Sequence, residues 1–139
     1  MKQESKQLVL KDLCARLPYK VKVTTTNAAV KFGVISGISI ENKISVRTKH
    51  ADIVFDCTEV KPYLFPLSSM TEEQKEEYNS VCNKDLDALS EAICNRTYVK
   101  TRIAMPLYYG IDWLIANHFD YRGLIPKGLA IDCTNLNIY

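Results

Sequence analysis

The first apolar pattern in the chain has the spacing of a helix. Between Leu8 and Leu17, apolar residues recur at positions 9, 10, 13, 14 and 17. Spacings of three and four residues place side chains on one face of an α-helix. We therefore expect an amphipathic helix that ends before Pro18, because the residue preceding a proline is driven out of the helical conformation.

After this helix the apolar spacing changes to two, which is typical of β-strands. Alternation runs through residues 19–25, 30–40, 44–48 and 53–58. The positions assigned to the core face are Tyr19, Val21, Val23, Val30, Phe32, Val34, Ile38, Ile40, Ile44, Val46, Ile53, Phe55 and Cys57. The connections are short, and Asn42 suits a tight turn because asparagine tolerates a left-handed backbone. The pattern predicts an antiparallel meander.

Two glycines suggest that this meander is bent. Gly33 and Gly37 lie within the longest alternating segment, where glycine often marks a bulge or a bend. A small, strongly bent sheet of this kind would resemble a partly closed SH3-like barrel.

The second half of the chain begins with a proline-rich segment and then favours helices. Residues 61–69 contain two prolines and are expected to form an extended crossing segment. Thr71 to Gln74 has the spacing of a capping box, which predicts a helix from there to about Cys82. A short helix is expected after Asn83.

The remaining residues give a mixed prediction. Residues 97–105 permit a strand, and residues 107–118 indicate a helix with Leu107, Tyr108, Ile111, Leu114 and Ile115 on one side. The last segment, from Tyr121 to Tyr139, contains too many helix breakers for a long helix. We expect it to pack as a loop with a short terminal strand.

Together these elements predict an α+β fold in a single domain, residues 1–139. Residues 1–60 would form a helix-plus-meander subdomain and residues 61–139 a mainly helical one. The chain is 139 residues long, with 47% hydrophobic and 24% charged residues, as in ordinary globular domains. The first residues lack the pattern of a secretion signal, and no apolar run reaches the roughly 18 residues of a membrane span. We therefore expect a cytoplasmic protein with no membrane partner.

Charge is distributed unevenly along the chain. Residues 1–63 hold eleven Lys and Arg against six Asp and Glu, a net charge of +5. Residues 64–139 hold seven against ten, a net charge of −3. The two halves are therefore expected to meet different partners.

The cysteines and histidines do not form a motif of known chemistry. The five cysteines (Cys14, Cys57, Cys82, Cys94 and Cys133) are widely spaced, so each is expected to be a small buried hydrophobe. No close pair of ligands suggests zinc, and no glycine-rich phosphate loop or calcium loop is present. We expect no cofactor, no metal and no enzymatic activity.

The densest cluster of functional groups runs from Asn117 to Gly123, at the end of a predicted helix. One interpretation makes His118 a general base oriented by Asp120, with Arg122 gripping an anionic ligand. The other is a helix C-terminus, with His118 complementing the helix dipole and Arg122 paired to an acid. Nearby aromatic residues extend the cluster to a set of ligand-binding candidates: Tyr109, Trp113, His118, Asp120, Tyr121 and Arg122.

The outer face of the predicted sheet is the second candidate site. Its basic residues are Lys20, Lys22, Lys31, Arg47 and Lys49, which could follow a phosphate backbone. Because Tyr19, Phe32 and Phe55 are assigned to the core face, this surface is expected to lack the aromatics on which single-strand binders stack bases. The alternative is that lysines simply solvate the wet face of an antiparallel sheet.

Two segments of the chain resemble a known group of proteins. Residues 60–73 and 111–125 are similar to blocks in small uncharacterised proteins of Bacteroides-type gut bacteria and of their phages and mobile elements. Residues 10–19 and 127–130 look similar too, so that the matches cover roughly a third of the chain. The resemblance brings no activity, and no functional residue is transferred from it. It implies a cytoplasmic accessory protein of phage or mobile-element origin.

These observations lead to three expectations about function. The leading one is a non-enzymatic accessory protein that binds a host or phage macromolecule, with a protein as the favoured partner and modulation of host defence as a candidate role. The second is a sponge that sequesters an anionic nucleotide near Arg122. The third is nucleic-acid binding by the basic sheet face.

Overall fold

A computed structural model describes residues 2–27, 30–94 and 106–139, with the backbone alone for 85–94 and 106–108. The possible strand at residues 97–105 lies outside this part of the chain. The helices are α1 (Gln3–Arg16), α2 (Glu72–Cys94) and α3 (Pro106–Ala116). The strands are β1 (Lys22–Thr25), β2 (Gly33–Ile38), β3 (Lys43–Arg47), β4 (Asp52–Asp56), β5 (Val60–Leu64) and β6 (Ile131–Asp132).

The strands form one six-stranded sheet in the order β4-β3-β2-β1-β5-β6. The first four make the predicted antiparallel meander, and a register shift between Ile35 and Gly37 bends β2. Asn42 has the expected left-handed backbone, with φ of 61°. The fold is α+β, with an N-terminal helix, as the apolar spacing predicted.

The face assigned to the first part of β2 is wrong, whereas Ile38, beyond the bulge, packs against the core as predicted. Ile35 is buried, whereas Phe32 and Ile40 are exposed. A Cβ atom on Gly33 would lie 2.3 Å from Cγ1 of Val46, so this glycine faces the core where β2 and β3 are closest. Because side chains alternate along a strand, Phe32 and Val34 are directed to the opposite face.

Residues 60–64 form a strand and not the predicted crossing segment. β5 pairs antiparallel with β1 and parallel with the two-residue β6. Pro62 is tolerated in β5 because β6 is so short that the missing proline N–H removes little of the ladder. Beyond β5, Leu67–Ser69 forms a 3-10 turn.

The capping box of α2 is confirmed in both directions. The backbone N–H of Gln74 donates to Thr71 Oγ1 at 3.2 Å, and the N–H of Thr71 donates to Gln74 Oε1 at 2.9 Å. The predicted break at Asn83 is wrong, because α2 continues without interruption to Cys94. Asparagine is only a weak helix breaker, and helical geometry is retained on both sides of it.

Two apolar clusters stabilise the described chain. The larger lies between α1 and the sheet, and it includes Leu64, Leu124 and Leu129 from beyond residue 60. The smaller joins Trp113, Leu114 and Phe119 to side chains of α2 and of the segment after β5. Both sides of the expected division at residue 60 therefore contribute to the sheet and to the larger cluster.

Several positions depart from the expected burial. Cys14, Ile53 and Ile111 are exposed, whereas Asp12 and Arg16 are completely buried on α1. Cys57 and Cys133 are buried as expected. After α3, the residues from 117 onward are turns and loops apart from β6, so the second half is less helical than expected.

Candidate functional site

Four of the five predicted basic residues line one groove. This depression of about 910 Å³, here called the basic groove, lies over β2, the end of β3 and the β3–β4 turn. Its cationic side chains are Lys20, Lys31, Arg47 and Lys49, and no aspartate or glutamate among the described side chains lines it. Apolar lining comes from Val30, Phe32, Val34, Ile35 and Ile53. The groove therefore combines a one-sign charge with an apolar floor.

Local backbone structure positions these cations. Lys20 follows the 3-10 turn Leu17–Tyr19 and has a left-handed backbone, with φ of 54°. Lys49 lies in the β3–β4 turn, where Thr48 Oγ1 donates to the carbonyl of Ala51 at 2.8 Å and accepts from its N–H at 3.2 Å. The turn is thus held by a side chain, and Lys49 and His50 lie exposed on it.

Within the described part of the chain, Arg47 is the groove cation for which an acidic partner is observed. Its Nε and Nη2 donate to the two carboxylate oxygens of Asp52 at 3.1 and 3.3 Å. This hydrogen bonding raises the pKa of Arg47. The pair is exposed, so water and salt screen it, and a phosphate can still approach the guanidinium.

Phe32 supplies the exposed aromatic ring that the sequence pattern did not predict for this surface. Its side chain is 46% exposed and lines the basic groove. The ring lies 6.1 Å from that of Tyr63, and Lys22 Nζ lies 5.6 Å from the Phe32 centroid. The side chain is therefore braced on one side and open on the other, which suits stacking of a flat ligand.

Lys22, the fifth predicted basic residue, is held outside the groove by the last residues of the chain. Its Nζ donates a very short hydrogen bond to the carbonyl oxygen of Ile138. Its backbone N–H donates to the Tyr139 hydroxyl at 2.9 Å, and that hydroxyl donates to the carbonyl of Tyr63 at 3.0 Å. Tyr139 therefore bridges β1 and β5, and desolvation raises its pKa.

His118 ends α3 in a Schellman motif. Its N–H donates to the carbonyl of Ile115 at 3.0 Å, and the N–H of Phe119 donates to the carbonyl of Leu114 at 2.9 Å. His118 itself takes the left-handed conformation, with φ of 63°. Glycine usually occupies this position, and histidine is one of the few other residues found there.

The imidazole of His118 is stacked on Tyr139. The ring centroids are 3.7 Å apart and the planes differ by 12°. Burial lowers the pKa of His118 to about 4, assisted by the positive charges of Arg16 and Lys22. The ring is therefore neutral at pH 7, so it does not complement the helix dipole as a cation.

Asp120 does not orient His118. Its two carboxylate oxygens accept from the backbone N–H groups of Leu124 and Ile125, each at 2.8 Å. Asp120 is buried, and this pair of hydrogen bonds fixes the loop after α3. The arrangement fits a structural turn rather than a base and its orienting acid.

Arg122 belongs to a buried charge cluster that includes two residues of α1. Its Nε lies 3.4 Å from Asp12 Oδ1 as an ion pair. The Asp12 carboxylate also accepts from Arg16 Nε at 2.7 Å and Nη2 at 3.2 Å. Arg16 Nη2 then donates to the carbonyl of Phe119 at 2.7 Å. The predicted pairing of Arg122 with an acid is confirmed, and its partner is Asp12.

The three remaining ligand-binding candidates lie in separate environments. Tyr109 is exposed on α3, whereas Trp113 is buried and stacked on Phe119 with centroids 5.8 Å apart. Tyr121 is half-buried, and the Arg122 guanidinium lies 4.7 Å above its ring. The structure therefore divides the predicted ligand cluster among packing, capping and ion-pair contacts.

Four residues of these arrangements were not predicted from the sequence: Phe32, Tyr139, Asp12 and Arg16. Phe32 was missed because alternation was counted through residues 30–40 without the bulge in β2. Asp12 and Arg16 were missed because charged residues are expected on a solvated helix face. Their spacing of four residues is the one signal that could have indicated a pair.

A second, smaller cavity of about 430 Å³ lies beside α1 and the β2–β3 turn. It is lined by Gln3, Lys6, Gln7, Leu10, Glu41, Asn42, Asp56 and Cys57. Its charges are mixed, and desolvation raises the pKa of the Cys57 thiol, which keeps the sulfur protonated. This chemistry favours neither an anionic ligand nor a nucleophilic cysteine.

Within the described residues, no group of three or more His, Cys, Asp or Glu side chains could hold a metal ion. No helix in the same part of the chain combines the length and apolar character that a membrane crossing requires.

Comparison with protein-family models, with curated proteins and with solved structures found no match to this chain. The resemblance of residues 60–73 and 111–125 to proteins of phages and mobile elements therefore remains a prediction.

Proposed function

We propose that the protein is a non-enzymatic binding protein that holds single-stranded nucleic acid in the basic groove. The observation that carries the proposal is the set of four cations around a groove in which no described lining residue is acidic. Such a surface attracts a phosphate backbone by releasing the counterions that surround it.

The apolar floor distinguishes a single strand from a duplex. A duplex presents its phosphates and conceals the faces of its bases, so an apolar floor would contribute little to duplex binding. An unpaired strand can turn a base onto Phe32, and stacking of a base on an aromatic side chain stabilises binding by about 1–3 kcal/mol. The combination of cations and one exposed ring therefore favours a single strand.

The other two expectations find less support in the geometry. For a protein partner, the aromatic residues near α3 offer the exposed Tyr109, whereas Trp113 and Phe119 are buried. A nucleotide was expected at Arg122, but Asp12 already compensates its charge. Both remain predictions, and the experiment below includes an outcome for each.

Fluorescence anisotropy with labelled oligonucleotides tests the proposal. Their length of about 12 nucleotides lies within the range that one small domain covers. We expect Phe32→Ala to weaken binding of a single strand about tenfold, with little change for a duplex. Ile40→Ala is the matched control, because Ile40 is a fully exposed apolar residue outside the groove.

A second pair of variants tests the cations. Replacing Lys20 and Lys31 by glutamine should weaken binding of all sequences by a similar factor. The same charge change at the exposed Lys84 and Lys127, which do not line the groove, should leave affinity nearly unchanged. An equal loss of oligonucleotide affinity in both pairs of substitutions would contradict the proposal. Binding of mononucleotides without binding of oligonucleotides would contradict it too. So would the absence of binding together with capture of a protein that depends on Tyr109.

A further inference from the structure

Tyr139 is bound by groups that are also suited to a nucleobase. One N–H donor (Lys22) and one C=O acceptor (Tyr63) lie at 2.9 and 3.0 Å from the same hydroxyl oxygen. The edges of nucleobases carry donors and acceptors of this kind. When the phenol is displaced, the Lys22 N–H and the Tyr63 C=O are free to pair with an acceptor atom and a neighbouring donor atom of a base edge.

The ring of Tyr139 lies as a stacked base would. It is nearly parallel to the His118 imidazole, and Lys22 Nζ lies 5.2 Å from its centroid. Phe65 flanks it at 5.9 Å with a tilt of 50°. Despite these contacts Tyr139 remains 42% exposed, so the position is open to solvent on one side. We call this position, formed by Lys22, Tyr63, Phe65 and His118, the Tyr139 seat.

The Tyr139 seat adjoins the basic groove. The Lys22 ammonium lies 5.2 Å from the Tyr139 ring and 5.6 Å from the Phe32 ring, so one cation serves both positions. The segment that brings Tyr139 here is anchored at Cys133, which is buried and whose N–H donates to the carbonyl of Leu64 at 3.0 Å. The next four residues, 134–137, are all exposed, and their hydrogen bonds go to Asp132 and Cys133. Residues 138 and 139 contact Lys22, Tyr63, Phe65 and His118.

We propose that Tyr139 stands in for a nucleobase, and that the Tyr139 seat is a second base-binding position for which residues 138–139 compete with single-stranded nucleic acid. This inference rests on the proposed function. Displacement of these residues would also release Lys22 Nζ from the carbonyl of Ile138. The fifth basic residue would then be free to contact a phosphate beside Phe32.

Anisotropy titrations of Tyr139→Ala with a single-stranded oligonucleotide test the inference. We expect this variant to bind about tenfold more tightly than the unaltered protein, because one more base can stack. Adding His118→Asn should remove most of the gain, since asparagine tolerates the left-handed backbone at 118 but offers no ring. Tyr109→Ala is the control, because it removes an exposed tyrosine elsewhere.

The outcomes separate this inference from the proposed function. If the unaltered protein binds and a folded Tyr139→Ala variant binds equally or more weakly, the competition is refuted while the proposed function stands. A gain that persists with His118→Asn refutes the base-binding seat. No binding by either protein overturns both proposals.

A second substitution keeps the test informative if Tyr139→Ala does not fold. Tyr139→Phe retains the stack on His118 and removes both hydrogen bonds. It should increase affinity by a smaller factor, about threefold, because a hydrogen bond contributes modestly to holding the segment. Unchanged affinity in this folded variant would count against the inference.

Discussion

Removing the carboxylate of Asp12 should strongly destabilise the fold. Asp12 and Arg16 are both 0% exposed, and the carboxylate accepts two hydrogen bonds from Arg16. It is also the ion-pair partner of Arg122. Asp12→Ala would leave two guanidinium groups near one another, one of them completely buried, with no carboxylate between them.

The magnitude follows from this burial. Breaking a buried ion pair by removing one partner costs about 3–5 kcal/mol, because the remaining charge is left without compensation. Total stability of a domain of this kind is about 5–15 kcal/mol, so the loss is a large fraction of it. Asp12→Leu combined with Arg16→Met should be less destabilising than Asp12→Ala, since no buried charge on α1 remains. The lost donor to the carbonyl of Phe119 would still cost about 1–3 kcal/mol.

Urea unfolding followed by circular dichroism at 222 nm measures these differences. Lys11→Ala is the control on the same helix, because Lys11 is exposed and its replacement should change the free energy of unfolding by no more than about 0.5 kcal/mol. A cost below about 1 kcal/mol for Asp12→Ala would refute the account of the buried cluster. So would a double variant that is less stable than Asp12→Ala.

Two further predictions concern β2 and His118. Gly33→Ala should lower the free energy of unfolding by about 1–3 kcal/mol in the same urea assay, because the added Cβ would overlap Val46 Cγ1. Gly37→Ala should cost less, because its added Cβ would lie 3.9 Å from Ser45 Cβ. Equal costs would show that Gly33 does not face Val46. The ring of His118 should titrate by NMR near pH 4. Because its folded-state pKa is below the ordinary value of 6.5, its contribution to stability should be lost as pH falls from about 6.5 to about 4. An observed midpoint near 6.5, or an identical pH dependence of stability in His118→Asn, would contradict this.

Local rules predicted the parts of the fold that depend on local interactions. The alternation in residues 44–48 predicted that Ile44 and Val46 are buried, and both are. The prediction succeeds because β3 lies between two strands and keeps a regular alternation. Asn42 and the capping box of α2 were predicted for the same reason, since each turn or cap is completed within four residues. The basic groove was also predicted in part, because its four cations were assigned to one face of the sheet.

The remaining features depend on contacts between distant parts of the chain. β5 contains a proline and was not expected to be a strand, but it pairs with β1, about 40 residues earlier. The orientation of Phe32 depends on the close approach of Gly33 to Val46. Asp12 is buried because Arg16 and Arg122 compensate its charge, and Arg122 is 110 positions away in the sequence. Pattern counting within a short window contains no information about these pairings.

The dependence of single-strand affinity on salt tests the central claim most directly. Each phosphate neutralised on a single strand contributes about −0.7 to the slope of log K against log salt concentration. The basic groove offers four cations, and Arg47 shares its charge with Asp52. Contacts with three or four phosphates predict a slope between about −2.1 and −2.8. Replacing Lys20 and Lys31 by glutamine should make the slope less negative by about 1.4. A slope near zero, or one that the two substitutions leave unchanged, would contradict nucleic-acid binding by the groove.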